Sequence, residues 1–133
     1  MKTPESSFLD LGFAVFEFYE KYVIATVKEG VVLGQQEMAK FYEIFSQYYG
    51  DKLFGYISNR KNDYTINPLY YKEIEKYDLK IVGIATLCYS KESYDMALFA
   101  EQFFNWPHAA FYKLEDCISF ITQRYNEEKN AGL

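Results

Sequence analysis

The sequence predicts a single-domain α/β fold: a five-stranded mixed sheet, mostly parallel, in the order β-β-α-β-α-β-α-β-α. Three observations predict it. Short apolar runs alternate with segments whose apolar residues recur every three or four positions. One run, LKIVGIATLCY at 79–89, is apolar nearly throughout, as a central parallel strand covered on both faces requires. The first two runs are joined by a tight polar turn, so the first strand must lie antiparallel at an edge. Strands that alternate with helices pair in parallel through right-handed crossovers.

Residues 1–11 are polar with weak pattern and read as a loose N-terminal arm, which leaves 12–129 as the domain. FAVFEFYEKYVIATV then reads as two strands, 13–18 and 22–27, around the polar tip YEKY. Met38, Phe41, Tyr42, Phe45, Tyr48 and Tyr49 fall on one face of a helix over 35–49. Gly34 serves as its N-cap, Glu37 suits its dipole, and Gly50 stops it. KLFGYIS, 52–58, reads as a buried strand. Asn67-Pro68 is a helix-start signal, because Asn caps free amides and Pro lacks an N–H that the first turn does not need. A short helix over 68–76 carries Leu69, Ile74 and Tyr77 toward the core. After the 79–89 run, Ser90 opens a helix with Tyr94, Ala97, Leu98 and Phe104 on its apolar side. WPH at 106–108 breaks the chain as a packed turn, AAFYKL at 109–114 is the last strand, and Leu114, Ile118, Ile121 and Tyr125 stripe a closing helix. Glu115 and Asp116 sit at its start, where the helix dipole favours them.

Composition narrows function. A chain of 133 residues suits one domain, and half its residues are hydrophobic, as a globular core requires. The aromatic share is 20%, and most of these rings sit at core-like spacings. A net charge of −5 without any basic run argues against nucleic acid and against an anionic membrane surface. No stretch approaches the roughly 20 apolar residues that span a bilayer, and MKTPESSFLDLGF lacks a signal peptide's apolar segment, so the expected location is the cytoplasm. Cys88 and Cys117 form no CxxC motif and are expected to be buried free thiols.

The element order resembles the SpoIIAA-like superfamily, which includes the STAS domains of bacterial anti-sigma-factor antagonists and looser STAS/SEC14-like small bacterial proteins. The resemblance runs from Phe13 to about Tyr125. It rests on the hairpin leading to a Gly before the first helix, on KIVGIATL followed by a long helix, and on the ending AAFYKLEDCISFI. It implies a regulatory or scaffolding module that binds another protein or, on the SEC14-like side, a small apolar ligand. The family's Asp-Ser phosphoacceptor pair would fall at INPLYY, where Asn67 stands for the Asp and Pro68 for the Ser. Proline has no hydroxyl, so the resemblance implies no phosphoswitch at that position.

In open α/β sheets ligands bind at the C-terminal ends of the parallel strands. Of the loops there, 28–34, 58–67, 88–92 and 112–114, the second is the long polar one. Its Ser58, Asn59, Arg60, Lys61, Asp63, Tyr64 and Thr65, with Tyr70 and Tyr71 beyond it, are the candidate protein-contact residues. The expected surface is an exposed aromatic patch around Tyr64, Tyr70 or Tyr71. The commoner alternative is a solvated connection whose charges face water. An apolar ligand would instead require an enclosed pocket of about 300 Å³ or more. Two copies could also pair through the antiparallel edge strand or the aromatic helix 35–49.

No cofactor, metal site or enzyme activity is expected. Neither GxGxxG nor GxxxxGK[ST] occurs, and no HExxH-like spacing is present. His108, the single histidine, reads as a loop or edge residue without catalytic company. Glu73 and Glu75 fall on different faces of a short helix, and Cys88 stands at the right sheet edge without an identifiable base.

Overall fold

The computed structural model describes residues 7–67, 69–70, 72 and 76–132. Its strands are β1 (Phe8–Asp10), β2 (Ala14–Phe18), β3 (Tyr22–Val27), β4 (Val32–Leu33), β5 (Leu53–Asn59), β6 (Thr65–Ile66), β7 (Lys80–Leu87) and β8 (His108–Phe111). The helices are α1 (Gln35–Tyr49), α2 (Lys91–Ala100) and α3 (Leu114–Ala131), and one 3-10 turn, Glu101–Phe103, follows α2. The fold is α/β, as the sequence predicts, with one principal sheet of mixed but mostly parallel strands.

Two expectations about the strands are corrected. The principal sheet has six strands, in the order β1-β2-β3-β5-β7-β8, rather than five. Its extra member comes from the segment read as an arm: Phe8–Asp10 pairs antiparallel with β2, Leu9 opposite Phe16. The Gly12 turn that returns the chain to β2 has φ +92°, and its N–H donates to Asp10 Oδ1 at 2.7 Å. The second correction lies within the loop read as irregular, where β6 pairs in parallel with β4 as a separate two-stranded ladder.

Burial follows the two periodicities. Along β2 and β3, Phe16, Phe18, Val23, Ala25 and Val27 enter a core under α1, whose Met38, Phe41, Tyr42, Phe45 and Tyr49 are all buried. The intervening Ile24 enters a second core on the other face, with Ile57, Ala85 and Leu87 under Cys117 and Ile121 of α3. α1 starts and stops as its sequence requires. The Glu37 carboxylate accepts the Gly34 N–H at 2.8 Å, and Gly50, at φ +60°, donates to the Ser46 carbonyl at 2.9 Å. Gly55 lets α3 approach β5, since a Cβ there would stand 2.2 Å from Ile121 Cγ2.

Helix α2 differs from expectation in orientation. Among its residues Ala97 is the buried one, whereas Met96, Leu98 and Phe99 are exposed, Phe99 at 63%. Leu98, assigned to the core side by its spacing, points outward. Leu114, expected in the α3 stripe, is also exposed. The helix expected over 68–76 includes Pro68, Tyr71, Glu73, Ile74 and Glu75, which lie outside the described residues. Asn67 does show the predicted start, its side-chain oxygen accepting the Leu69 N–H at 3.0 Å.

Candidate functional site

Loops 28–34 and 58–67 meet at the C-terminal end of β3 and β5, where the β4–β6 ladder ties them together. The candidate residues divide between this framework and a free surface. Ser58 and Asn59 belong to β5 rather than to the loop. Ser58 is buried, with its hydroxyl 3.4 Å from the Tyr64 hydroxyl. Asn59 spans two elements: its amide donates to Thr26 Oγ1 at 3.0 Å, and its side-chain oxygen accepts the Tyr89 hydroxyl at 2.7 Å. The Asp63 carbonyl accepts the Gly30 N–H at 2.7 Å, and the Asp63 N–H donates to the Glu29 carboxylate at 3.2 Å. Asn62, which the sequence reading passed over, donates to the Val27 carbonyl at 2.9 Å. The stretch is therefore a braced connection, tied to Thr26 and Val27, to loop 28–34 and to Tyr89.

The expected aromatic patch is not formed by the residues named for it. Tyr64 and Tyr70 are half-buried against the α1 core, and Tyr71 lies outside the described residues. Lys61 and Thr65 are exposed. Arg60 and Thr65 are the candidates that line an opening, and Arg60 is the charged one. Its guanidinium carbon sits 4.4 Å from the Tyr64 ring centroid, and its backbone N–H donates to the Leu87 carbonyl at 3.0 Å.

That opening is a groove of about 480 Å³ between the loop and α2. Arg60, Thr65 and Ile66 form one wall, and Glu92, Asp95, Met96, Phe99 and Ala100 form the other. The α2 positions recur at three and four residues, so they belong to one helix face, the face opposite buried Ala97. Asp95 is engaged by Lys91 at 2.8 Å. The apolar lining of this groove thus comes mainly from α2, not from the tyrosines named for it.

A larger groove, about 680 Å³, opens at the other end of β3 and β5 and is lined by Phe18, Tyr19, Tyr48, Tyr49 and Tyr125, among others. Its rings are committed to one another. Phe18 stacks on Tyr48 at 4.3 Å, and the Tyr49 hydroxyl donates to the Tyr19 carbonyl at 2.7 Å. Between α1 and the sheet, beside Trp106, the interior leaves about 20 Å³. That is far below the ~300 Å³ at which small-molecule pockets begin.

His108 is not without company. Its Nδ1 lies 2.7 Å from Glu101 Oε2 and its Nε2 lies 2.9 Å from Thr86 Oγ1, with the ring centroid 5.0 Å from that of Phe104. In the neutral ring, Nδ1–H donates to the carboxylate and Nε2 accepts the Thr86 hydroxyl. Burial lowers the His108 pKa below its ordinary value, while the bond to Glu101 opposes this. The order Glu–His–Thr imitates a nucleophile relay, yet Thr86 is 4% exposed and lies on β7 between β5 and β8. The relay ties the end of α2 to β7 and β8. No sequence signal announces it, since its members lie on three different elements.

Both cysteines are free and buried. Burial pushes the Cys88 thiol up, against lowering by Ser93 and Arg60, and pushes Cys117 up to about 12. Neither has the electropositive, accessible setting of a reactive thiolate. Among the described residues no group of three or more His, Cys, Asp or Glu side chains is placed to hold a metal, and no helix is long and apolar enough to cross a membrane. Compared with protein-family models, curated proteins and solved structures, the chain matches none.

Proposed function

We propose that this chain is a non-catalytic regulatory or scaffolding module that binds another protein through the face shared by the 60–66 loop and α2. The observation that carries the proposal is the outward apolar side of α2, Met96 at 52% and Phe99 at 63% exposed, aligned along a groove at the sheet edge where α/β folds bind. Large apolar side chains this exposed gain little from the fold: Phe99 meets the ring of Phe103 edge-on, with centroids 6.0 Å apart. They gain from a partner that removes them from water. The closed surroundings of His108, Cys88 and Cys117 support a module without catalysis. The SpoIIAA-like resemblance frames this proposal, with Pro68 in place of the phosphoacceptor. The alternative, a carrier of a small apolar ligand, draws no support from an interior cavity of about 20 Å³. The strand expected to offer an antiparallel edge, β2, is covered by β1, and pairing of two copies at that edge would use β1, which has three residues and an Asp10–Lys28 ion pair at 3.2 Å, features that blunt an edge.

The test is affinity capture from native lysate with the wild type, Met96→Asp/Phe99→Asp and a control on the far side of the molecule, Gln123→Asp. The proposal expects proteins that bind the wild type and the control and are lost from the double variant. Identical sets on all three would refute this face as the contact site.

A further inference from the structure

We infer that the groove between β6 and α2 recognises a peptide segment of its partner in which an apolar anchor is flanked by a carboxylate on one side and a cation on the other. The inference rests on the protein-contact reading and adds the chemistry of the occupant. Ile66, Met96, Phe99 and Ala100 give the groove an apolar lining, which calls for an apolar anchor. The charges on its walls set the rest. On the loop wall Arg60 has no ion-pair partner among the described residues, although its position is fixed by the Tyr64 ring and by its backbone bond to Leu87. A guanidinium held in place with its donors free is suited to a carboxylate, which it can engage through two parallel hydrogen bonds. On the helix wall Asp95 is neutralised by Lys91, whereas Glu92 has no ion-pair partner among the described residues. The groove therefore presents one available cation on its loop wall and one available anion on its helix wall, with apolar side chains lining both.

This arrangement discriminates between ligand classes. A fatty acid could place its carboxylate at Arg60 but would lay its tail beside Glu92. A nucleic acid would find a single basic side chain in the groove, with Glu92 opposing its phosphates. A peptide carrying both signs leaves neither charge opposed, and like-charge mismatch is a principal means by which an interface rejects wrong partners.

The experiment selects random nine-residue peptides displayed on phage against the wild type, Arg60→Glu, Glu92→Lys and Met96→Asp/Phe99→Asp, each checked for native circular dichroism. Arg60→Gln stands in if Arg60→Glu does not fold. The wild type should enrich peptides with an acidic residue beside an aromatic or aliphatic one. Those peptides should bind Arg60→Glu at least about tenfold more weakly, and Arg60→Glu should itself select a basic residue at that place. Glu92→Lys should change the preference at the other flank. An apolar consensus that needs Met96 and Phe99 but ignores both charge reversals overturns the charge rule and leaves the contact face standing. Peptides indifferent to Met96→Asp/Phe99→Asp overturn both. Dodecanoate is titrated in parallel by NMR. If it perturbs Arg60, Met96 and Phe99 at lower concentration than any selected peptide, the occupant is an amphiphile and the inference fails.

Discussion

Replacing Gly55 with alanine should be among the most damaging single-methyl changes in this protein. Gly55 lies in β5 beneath α3, at a register shift in the pairing with β7. Its added Cβ would stand 2.2 Å from Ile121 Cγ2, 2.8 Å from Cδ1 and 3.2 Å from Cβ. Carbon atoms in contact settle near 3.5–4.0 Å, so the worst overlap exceeds about 1.3 Å. Rotation about χ1 of Ile121 cannot move its own Cβ, and the side chain is fully buried and β-branched, with few alternatives. α3 must therefore lift from the sheet. Overpacking costs about 1–3 kcal/mol, and a three-atom clash with no exit belongs at the upper end, about 3 kcal/mol. For a domain of this size that is a fall in Tm of roughly 10 °C. The backbone at Gly55 is not left-handed, so without the clash the alanine would have stabilised by about 0.4–1 kcal/mol through the unfolded chain. Urea denaturation of Gly55→Ala, Ile121→Ala and the double variant separates the causes. Ile121→Ala alone should cost about 2–5 kcal/mol, but much less in the Gly55→Ala background, with a coupling of about 1–3 kcal/mol. A Gly55→Ala cost below about 0.5 kcal/mol, or strictly additive costs, would refute this account of how α3 meets the sheet.

Three further outcomes are expected. Because burial holds the His108 pKa below its ordinary 6.5, the unfolded chain takes up the proton first; stability is full above about pH 6.5 and falls as pH drops through the folded value. Wild type should lose more stability than His108→Gln between about pH 7.5 and 5.5, and equal losses in urea titrations would contradict this. Cys117, with its pKa pushed up to about 12, should resist iodoacetamide at about pH 8 until the protein is unfolded, and its contribution to stability should decline as pH rises from about 9 toward 12; rapid native alkylation at Cys117 by mass spectrometry would overturn this. Met96→Asp/Phe99→Asp should change stability by no more than about 0.5 kcal/mol per site, because both side chains stand mostly in water. A calorimetric loss of several kcal/mol would mean that they pack.

What the sequence made legible is the part of the fold governed by period. The α1 stripe read from spacing contains every α1 residue that is buried, Met38, Phe41, Tyr42, Phe45 and Tyr49, since one amphipathic face on one sheet leaves little choice. The unbroken run in β7 likewise announces a strand buried on both faces, and residues 81–87 are all buried. The errors have a common origin. Three residues, Phe8–Asp10, cannot display an alternation of their own, and their strand exists because β2 offers an edge. The β4–β6 ladder, two residues on each side, exists because two loops converge at the end of the sheet. For α2 the difficulty is direction: apolar residues occupy both sides of the helix, so periodicity alone does not say that Ala97 faces inward while Met96 and Phe99 face out. The candidate site followed suit. The sheet edge was legible from topology and Arg60 from its loop, but the apolar wall was assigned to tyrosines that the core had already taken.

The way α2 is held bears on why that wall is open. A helix with one buried alanine has little hydrophobic attachment, yet both its ends are fastened. Ser90 caps its start, accepting the Ser93 N–H at 3.1 Å, and Lys91 pairs with Asp95 one turn on. Tyr94 lies flat against Tyr112, centroids 5.0 Å apart and planes within 8°. Past its C-terminus, Glu101 grips His108, which in turn meets Thr86 on β7. Polar and stacking contacts thus do for α2 what apolar burial does for α1. The difference is that α1's fastening buries its large side chains, whereas α2's leaves Met96 and Phe99 more than half exposed in the groove that Arg60 also lines. A helix fixed mainly by contacts other than its large hydrophobes leaves them in a defined position, which is what the proposed contact face requires.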